Sequence, residues 1–187
     1  MTESLRTKSP RSRITVPERV GAETEVNYGG APAADFGPLS RDRIPVRAMK
    51  QGDLDKLVEI DARVTGRNRR GYFERKLQEA LHQSDVRVSL VAEVEGEPVG
   101  FIMARVDFGA FGRVEPVAVL DTIGVDPGAR GRGVGRALLS QLLMNLSTLR
   151  VERIRTELGW AEHDLLRFLE RCGFRPSQML CLQHDLA

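Results

Sequence analysis

The residues with the most evident chemical potential form one short run, Arg130-Gly131-Arg132-Gly133-Val134-Gly135-Arg136. Glycines at 131, 133 and 135 let a backbone approach a ligand with no Cβ in the way, and a helix starting here offers unpaired amide donors at the positive end of its dipole. Such a turn is an anion site. Arginines at 130, 132 and 136 add positive charge, so the expected guest is a pyrophosphate rather than a carboxylate. The alternative is a tight strand-to-helix turn with solvated arginines. Two better-known phosphate loops do not fit. A dinucleotide fingerprint needs Gly-x-Gly-x-x-Gly, but Arg136 stands where the third glycine belongs, and no Gly-Lys-Ser/Thr ending marks a nucleotide-triphosphate loop. What remains is Arg-x-x-Gly-x-Gly, at Arg130, Gly133 and Gly135.

Elements able to position this loop flank it on both sides. Residues 116–125 are nearly continuously apolar, which predicts a central strand covered on both faces, with Asp121 as its odd residue. Val134, Leu138, Leu142 and Leu146 predict the helix that follows. Upstream, a short strand at 44–49 precedes Asp53, a helix N-cap by type, and then Leu54, Leu57, Val58 and Val64 at helical spacing. The basic break 66–71 leads to a second helix through Phe73, Leu77, Ala80 and Leu81. Val86, Val88, Leu90, Ala92 and Val94 alternate, Glu95-Gly96-Glu97 offers a turn, and 99–106 completes a hairpin. Downstream come a strand at 153–158, a helix striped by Leu165, Phe168, Leu169 and Cys172 that stops at Gly173, and a last strand at 178–183. This order predicts an α/β (α+β) fold, a mixed sheet with helices on its faces.

The 187 residues, 41% hydrophobic, suffice for one domain, residues 44–187. Residues 1–43 hold four of the nine prolines and no hydrophobic periodicity, the composition of a flexible tail. With 28 basic residues against 26 acidic, no strong field argues for a nucleic-acid or membrane surface. Cys172 and Cys181 lack metal-ligand spacing, and no apolar run reaches the length of a membrane span. No metal, no membrane and a cytoplasmic location are expected.

At the Arg130, Gly133 and Gly135 motif the chain resembles the GNAT N-acetyltransferase superfamily, whose coenzyme A signature is Gln/Arg-x-x-Gly-x-Gly/Ala. Its surroundings agree: Ile123-Gly124-Val125-Asp126-Pro127 before it, a helix after it, and Leu169-Glu170-Arg171-Cys172-Gly173-Phe174, which looks like the family's aromatic-Glu-Lys-Leu-Gly-Phe ending of the fourth helix. The resemblance implies a single domain with a mixed, mostly antiparallel central sheet flanked by four helices. It implies acetyl-CoA as co-substrate, its pyrophosphate held by residues 130–136 (Arg130, Gly131, Arg132, Gly133, Val134, Gly135, Arg136) and its pantetheine laid along Ile123, Gly124 and Val125 like an added strand. The acceptor, an amine of a small molecule or a protein, would lie against the first two helices and their connection, where Arg67, Arg69 and Arg70 could guide an anionic partner or simply be solvated.

Transfer to an amine needs a neutral nitrogen, and a lysine-type amine with a pKa of about 10.4 is almost wholly protonated at neutral pH. Histone-acetylating members carry a glutamate four residues before the strand's last apolar position, and the same offset from Val125 lands on Asp121. Desolvation on an apolar strand pushes a carboxylate toward the range useful for a base. The alternative is an aspartate paired with an arginine or hydrogen-bonded to backbone; Glu115 is the reserve candidate. The tyrosine that many members use to protonate the leaving thiolate is replaced by Leu169, and the only tyrosines are Tyr28 and Tyr72. His163 could substitute or cap its helix. Trp160 could flank the acyl channel or pack in the core, and Phe108 and Phe111 could meet substrate, a second subunit in a homodimer, or their own hairpin. The expected activity is direct N-acetyl transfer. An acyl-CoA-binding module without turnover is the rival, and a nucleic-acid-binding protein is disfavoured by the absence of interleaved aromatics.

Overall fold

Alternate side chains of a strand point to opposite faces and must find cover on both. The computed structural model describes residues 44–82, 87–108, 115–179 and 181–185. Among them five strands form one sheet in the spatial order β1 (Val46–Ala48), β2 (Arg87–Val94), β3 (Glu97–Asp107), β4 (Val117–Val125) and β5 (Arg153–Arg155). β1 to β4 pair antiparallel, and β5 joins β4 in parallel. Helices α1 (Leu54–Thr65) and α2 (Arg70–His82) fall between β1 and β2, α3 (Val134–Thr148) connects β4 to β5, and α4 (His163–Arg171) follows. This is the mixed, mostly antiparallel sheet with four helices that the sequence predicts. The tail 1–43, Val86, Phe111 and the side chains of Ala80 and Leu81 lie outside the described residues.

The sheet divides two cores. Val91, Phe101 and Met103 pack with Leu57, Ile60, Phe73 and Leu77 of α1 and α2. On the other face Leu90, Ile102, Ala104 and Val106 pack with Val134, Leu138 and Leu142 of α3. Phe73 meets Phe101 edge-to-face, with ring centroids 5.3 Å apart. Gly124 lies opposite Phe101 in the β3–β4 register, and a Cβ there would come within 2.6 Å of that ring. The glycine is a packing requirement of β4.

Local chemistry sets the element ends. Glu95 and Gly96 have φ of 56° and 82°, the two left-handed residues of a tight hairpin turn. α4 closes with Gly173 at φ 92°, Gly173 N donating to Glu170 O and Phe174 N to Leu169 O, both at 3.0 Å, which together make a Schellman motif.

Three expectations need correction. Asp53 does not cap α1 with its side chain; it ends a 3-10 turn (Gln51–Asp53). Its carboxylate instead accepts the Lys50 N–H at 2.7 Å and both terminal nitrogens of Arg47 at 2.8 Å, which ties β1 to the start of α1. The strand expected at 153–158 stops at Arg155. The strand expected at 178–183 is absent among its described residues, where Met179 and Leu182 are exposed. A strand needs a partner edge, and three residues of β5 offer little length for one.

Two measurements check this account. Gly124→Ala overpacks the fully buried Phe101 and should cost about 1–3 kcal/mol, read as a lower Tm, while Gly52→Ala, with open space at its Cβ, should be neutral. The Arg47 guanidinium holds the Asp53 carboxyl below the usual carboxylate range, against an opposing effect of burial. Its stabilisation is therefore present above the unfolded pKa of about 3.9 and fades as pH falls through the lower folded value. Asp53→Asn should lower Tm at pH 7, and its gap from wild type should close in acid.

Candidate active site

Where β4 ends, Asp126 organises the turn. Its N–H donates to Val99 O at 2.8 Å, and its Oδ1 accepts the Gly128 N–H at 2.8 Å, inside a 3-10 turn (Pro127–Ala129). Arg63 of α1 donates to Oδ2 at 2.7 Å. The Gly128 amide first, and Arg63 after it, hold this carboxyl below its ordinary range. Gly131 and Gly133 then take φ of 74° and 89°, a left-handed backbone that turns the chain into α3, and Val134 is buried to anchor the helix start. Among the described residues no acceptor takes the N–H of Gly131, Arg132, Gly133, Val134, Gly135 or Arg136. Arg130, Arg132 and Arg136 are exposed, and among the described residues they meet no carboxylate. Six free amides and three free guanidinium groups converge at one helix head. The third glycine also has a packing reason: a Cβ on Gly135 would meet the Phe168 ring at 3.2 Å, so its bareness serves the packing of α3 on α4.

β4 carries the second half of the site. β5 pairs with it only at Val117, Ala118 and Val119, after which Thr156 Oγ1 donates to Leu120 O at 3.0 Å. Beyond that point no strand among the described residues pairs with this edge, so Ile123 and Val125 lie on an open strand margin leading to the loop. On its other edge β4 pairs Thr122 with Met103 and Leu120 with Ala104, which leaves Asp121 as the extra residue of a bulge. Bulges re-aim side chains, and this one sets Asp121 toward α2. There Lys76 Nζ donates to its Oδ2 at 2.8 Å, and Arg105 Nη1 donates to its Oδ1. The aspartate is therefore paired with two cations, and its carboxylate is not isolated.

Tyr72 stands nearby on α2, half-buried, edge-on to Phe73 and with Lys76 Nζ 6.0 Å from its ring. Burial, and then the charge of Asp121, push its phenol above the ordinary range. Lys76, Arg105 and Tyr72 carry no motif. A β3–β4 register including the bulge would have been needed to find them.

A model of the Acetyltransferase (GNAT) family matches residues 54–174, from the first residue of α1 to the end of the α4 cap. The chain belongs to that family. A mycothiol acetyltransferase of Propionibacterium freudenreichii is 29% identical over 135 residues, covering 67% of this chain and 41% of its own length. The chain spans less than half of the mycothiol acetyltransferases it matches. Among solved structures, a transcriptional regulator from Bacillus halodurans superposes with a TM-score of 0.65 at 22% identity, over 76% of this chain and 99% of that one. AAC(6′)-Iy in complex with the bisubstrate analogue CoA-S-monomethyl-acetylneamine gives 0.65 at 18% identity, over 77% and 99%. The likeness to these structures is one of fold.

Leu169, which the resemblance sets at the tyrosine position, is buried in the α3-side core and offers no proton. Arg69 is committed to the buried Asp61, with Nε to Oδ2 at 2.8 Å, and Arg70 pairs with Asp55 and Glu74. Arg67 is exposed. Glu115 is exposed ahead of β4, His163 is exposed one residue after the α4 cap position, Phe108 is exposed, and Trp160, 99% exposed, packs in no core. Among the described residues no group of carboxylates, histidines and cysteines could hold a metal ion, and no helix is long and apolar enough to cross a membrane.

Cys172 lies near Arg136, and burial pushes its thiol up despite that cation, so it is a poor nucleophile at neutral pH. It should react with a thiol reagent on the order of tenfold more slowly than the exposed Cys181, and unfolding should erase the difference.

Proposed function

We propose that this chain is an acetyl-CoA-dependent N-acetyltransferase that moves the acetyl group directly to an amine, with no acyl-enzyme. The observation that carries it is the set of unclaimed amides from Gly131 to Arg136, under three unpaired arginines, at the end of an open strand edge. This head of α3 fits a pyrophosphate: backbone donors and guanidinium groups match its oxygens, and open space lies where a Gly131 Cβ would be. The margin of β4 at Ile123, Gly124 and Val125 suits an extended amide-bearing arm added as a strand. Acetyl-CoA supplies an activated thioester, and the protein has to align it with a neutral nitrogen.

Asp121 sits at the bulge, on the α2 side of the sheet, and receives the amine proton through water while Lys76 and Arg105 hold its oxygens. No tyrosine stands at Leu169, and a thiol with a pKa of about 8.5 leaves tolerably as thiolate. The buried Leu169 also supports a second reading, an acyl-CoA-binding module without turnover.

Thiol release from acetyl-CoA over a panel of amines, amino acids and peptides separates the two. Turnover with any acceptor supports the enzyme, and tight binding without thiol release supports the module. Gly133→Asp places a side chain at φ 89° and a negative charge among the amides, so acetyl-CoA affinity should fall on the order of a hundredfold. Unchanged affinity would remove the loop from the site. Asp121→Asn should lower kcat while leaving the Kd for acetyl-CoA near wild type.

A further inference from the structure

Arg105, Val119 and Arg155 are direct neighbours across β3, β4 and β5, and the backbone pairing of β4 with β5 ends at this row, leaving only the Thr156 hydroxyl on Leu120 O. Asp121 lies two residues further along β4. Arg105 bridges to both Asp121 and Asp107, the latter at 3.1 Å, Arg155 reaches Asp107 at 3.4 Å, and Lys76 holds the other oxygen of Asp121. Lys76 also reaches Glu79 at 3.6 Å, and Arg87, opposite Arg105 on β2, reaches the same carboxylate at 3.1 Å, so four cations share three carboxylates at the mouth of the split. Every carboxylate in the group is already engaged. One donor is spare: Arg155 Nε is shielded from solvent and has no hydrogen-bond partner among the described residues.

We infer that the acceptor is an amine bearing its own acidic group, a carboxylate or a phosphonate-type anion close to the reacting nitrogen, and that a polycationic amine is rejected. The inference rests on acetyl transfer at the open edge of β4. The Arg155 side chain is 36% exposed although its Nε is shielded, so a turn of the guanidinium would offer that donor to an acidic group on the acceptor, which would also neutralise the surplus charge with the geometric selectivity of a guanidinium–oxyanion pair. The same cations act on the nitrogen. Like charges nearby disfavour an ammonium and favour the free amine, the form that attacks the thioester; the N–C bond forms as the C–S bond breaks, the proton goes to water beside Asp121, and the pair of electrons leaves on sulfur. A polycation has no unpaired carboxylate here to meet and adds like charge to a cationic group, so AAC(6′)-Iy, crystallised with an aminoglycoside-derived analogue, is a guide to the fold but not to the acceptor.

The test compares kcat/KM, each on its pH plateau, for alanine, leucine and phenylalanine, their amides, their aminophosphonate analogues, and neamine, with acetyl-CoA saturating. Acids or phosphonates should exceed the matching amides by about tenfold or more, and neamine should be poorest. The ratio of the two anions tells carboxylate from phosphonate recognition. Arg155→Gln should bring the acid-to-amide ratio close to one, and Arg155→Lys, which keeps the charge and loses Nε, should retain part of it. Thiol release with amides or neamine at or above the acids overturns the inference and leaves the acetyltransferase intact, as does an acid-to-amide ratio unmoved in Arg155→Gln. Acetyl-CoA that binds without thiol release from any of the set overturns this inference, and silence of the wider panel of amines and peptides as well overturns the proposed activity with it.

Discussion

Between Met103 and Ala104, β3 faces one residue too many on β4, and that residue is Asp121. The surplus residue constrains much of the rest. It breaks the strict alternation of a strand buried on both faces and lets a charged side chain leave the plane toward α2 without crossing either core. β5, paired in parallel, keeps contact for three residues and then departs, so β4 continues alone to Val125 with one edge unclaimed. An unclaimed edge in the middle of a protein is a liability unless something comes to it. Here it runs straight into the amides at the head of α3.

The two halves of the site handle charge in opposite ways. At the loop, Arg130, Arg132 and Arg136 are free, and the nearest organising carboxylate, Asp126, is spent on Gly128 and Arg63. Positive potential is left uncompensated there. At the bulge, Lys76 and Arg105 are bound to Asp121, and the excess is a single guanidinium, Arg155, with a donor to spare. The tie from Arg63 to Asp126 links α1 directly to the turn before the loop.

Much of this was legible in residue types and spacing. The loop, the strand before it and the helix after it follow from periodicity and glycine placement, and the hairpin and the α4 stop follow from Glu95-Gly96 and Gly173, where left-handed backbone is required. The end of the chain was not legible. Residues 178–183 are an apolar run between two glutamines, but a strand is a property of two edges, and β5 is too short to supply one. The capping role of Asp53 failed for a similar reason: Arg47 and the Lys50 amide compete for its oxygens from outside the helix it precedes. Gly135 and Gly124 each leave room for a phenylalanine, Phe168 and Phe101, a packing role that sequence distance concealed.

From order and spacing alone came the glycine- and arginine-rich run at 130–136 as a candidate anion site, the positions flanking it on β4, and the family they resemble, because backbone conformation and helix polarity are local. The company kept by Asp121 was beyond that reach. Lys76, Arg105 and Arg155 lie on three different elements, and they meet only because a bulge shifts the β3–β4 register and β5 leaves the sheet early. An ion pair depends on distance in space, and the folded sheet sets that distance.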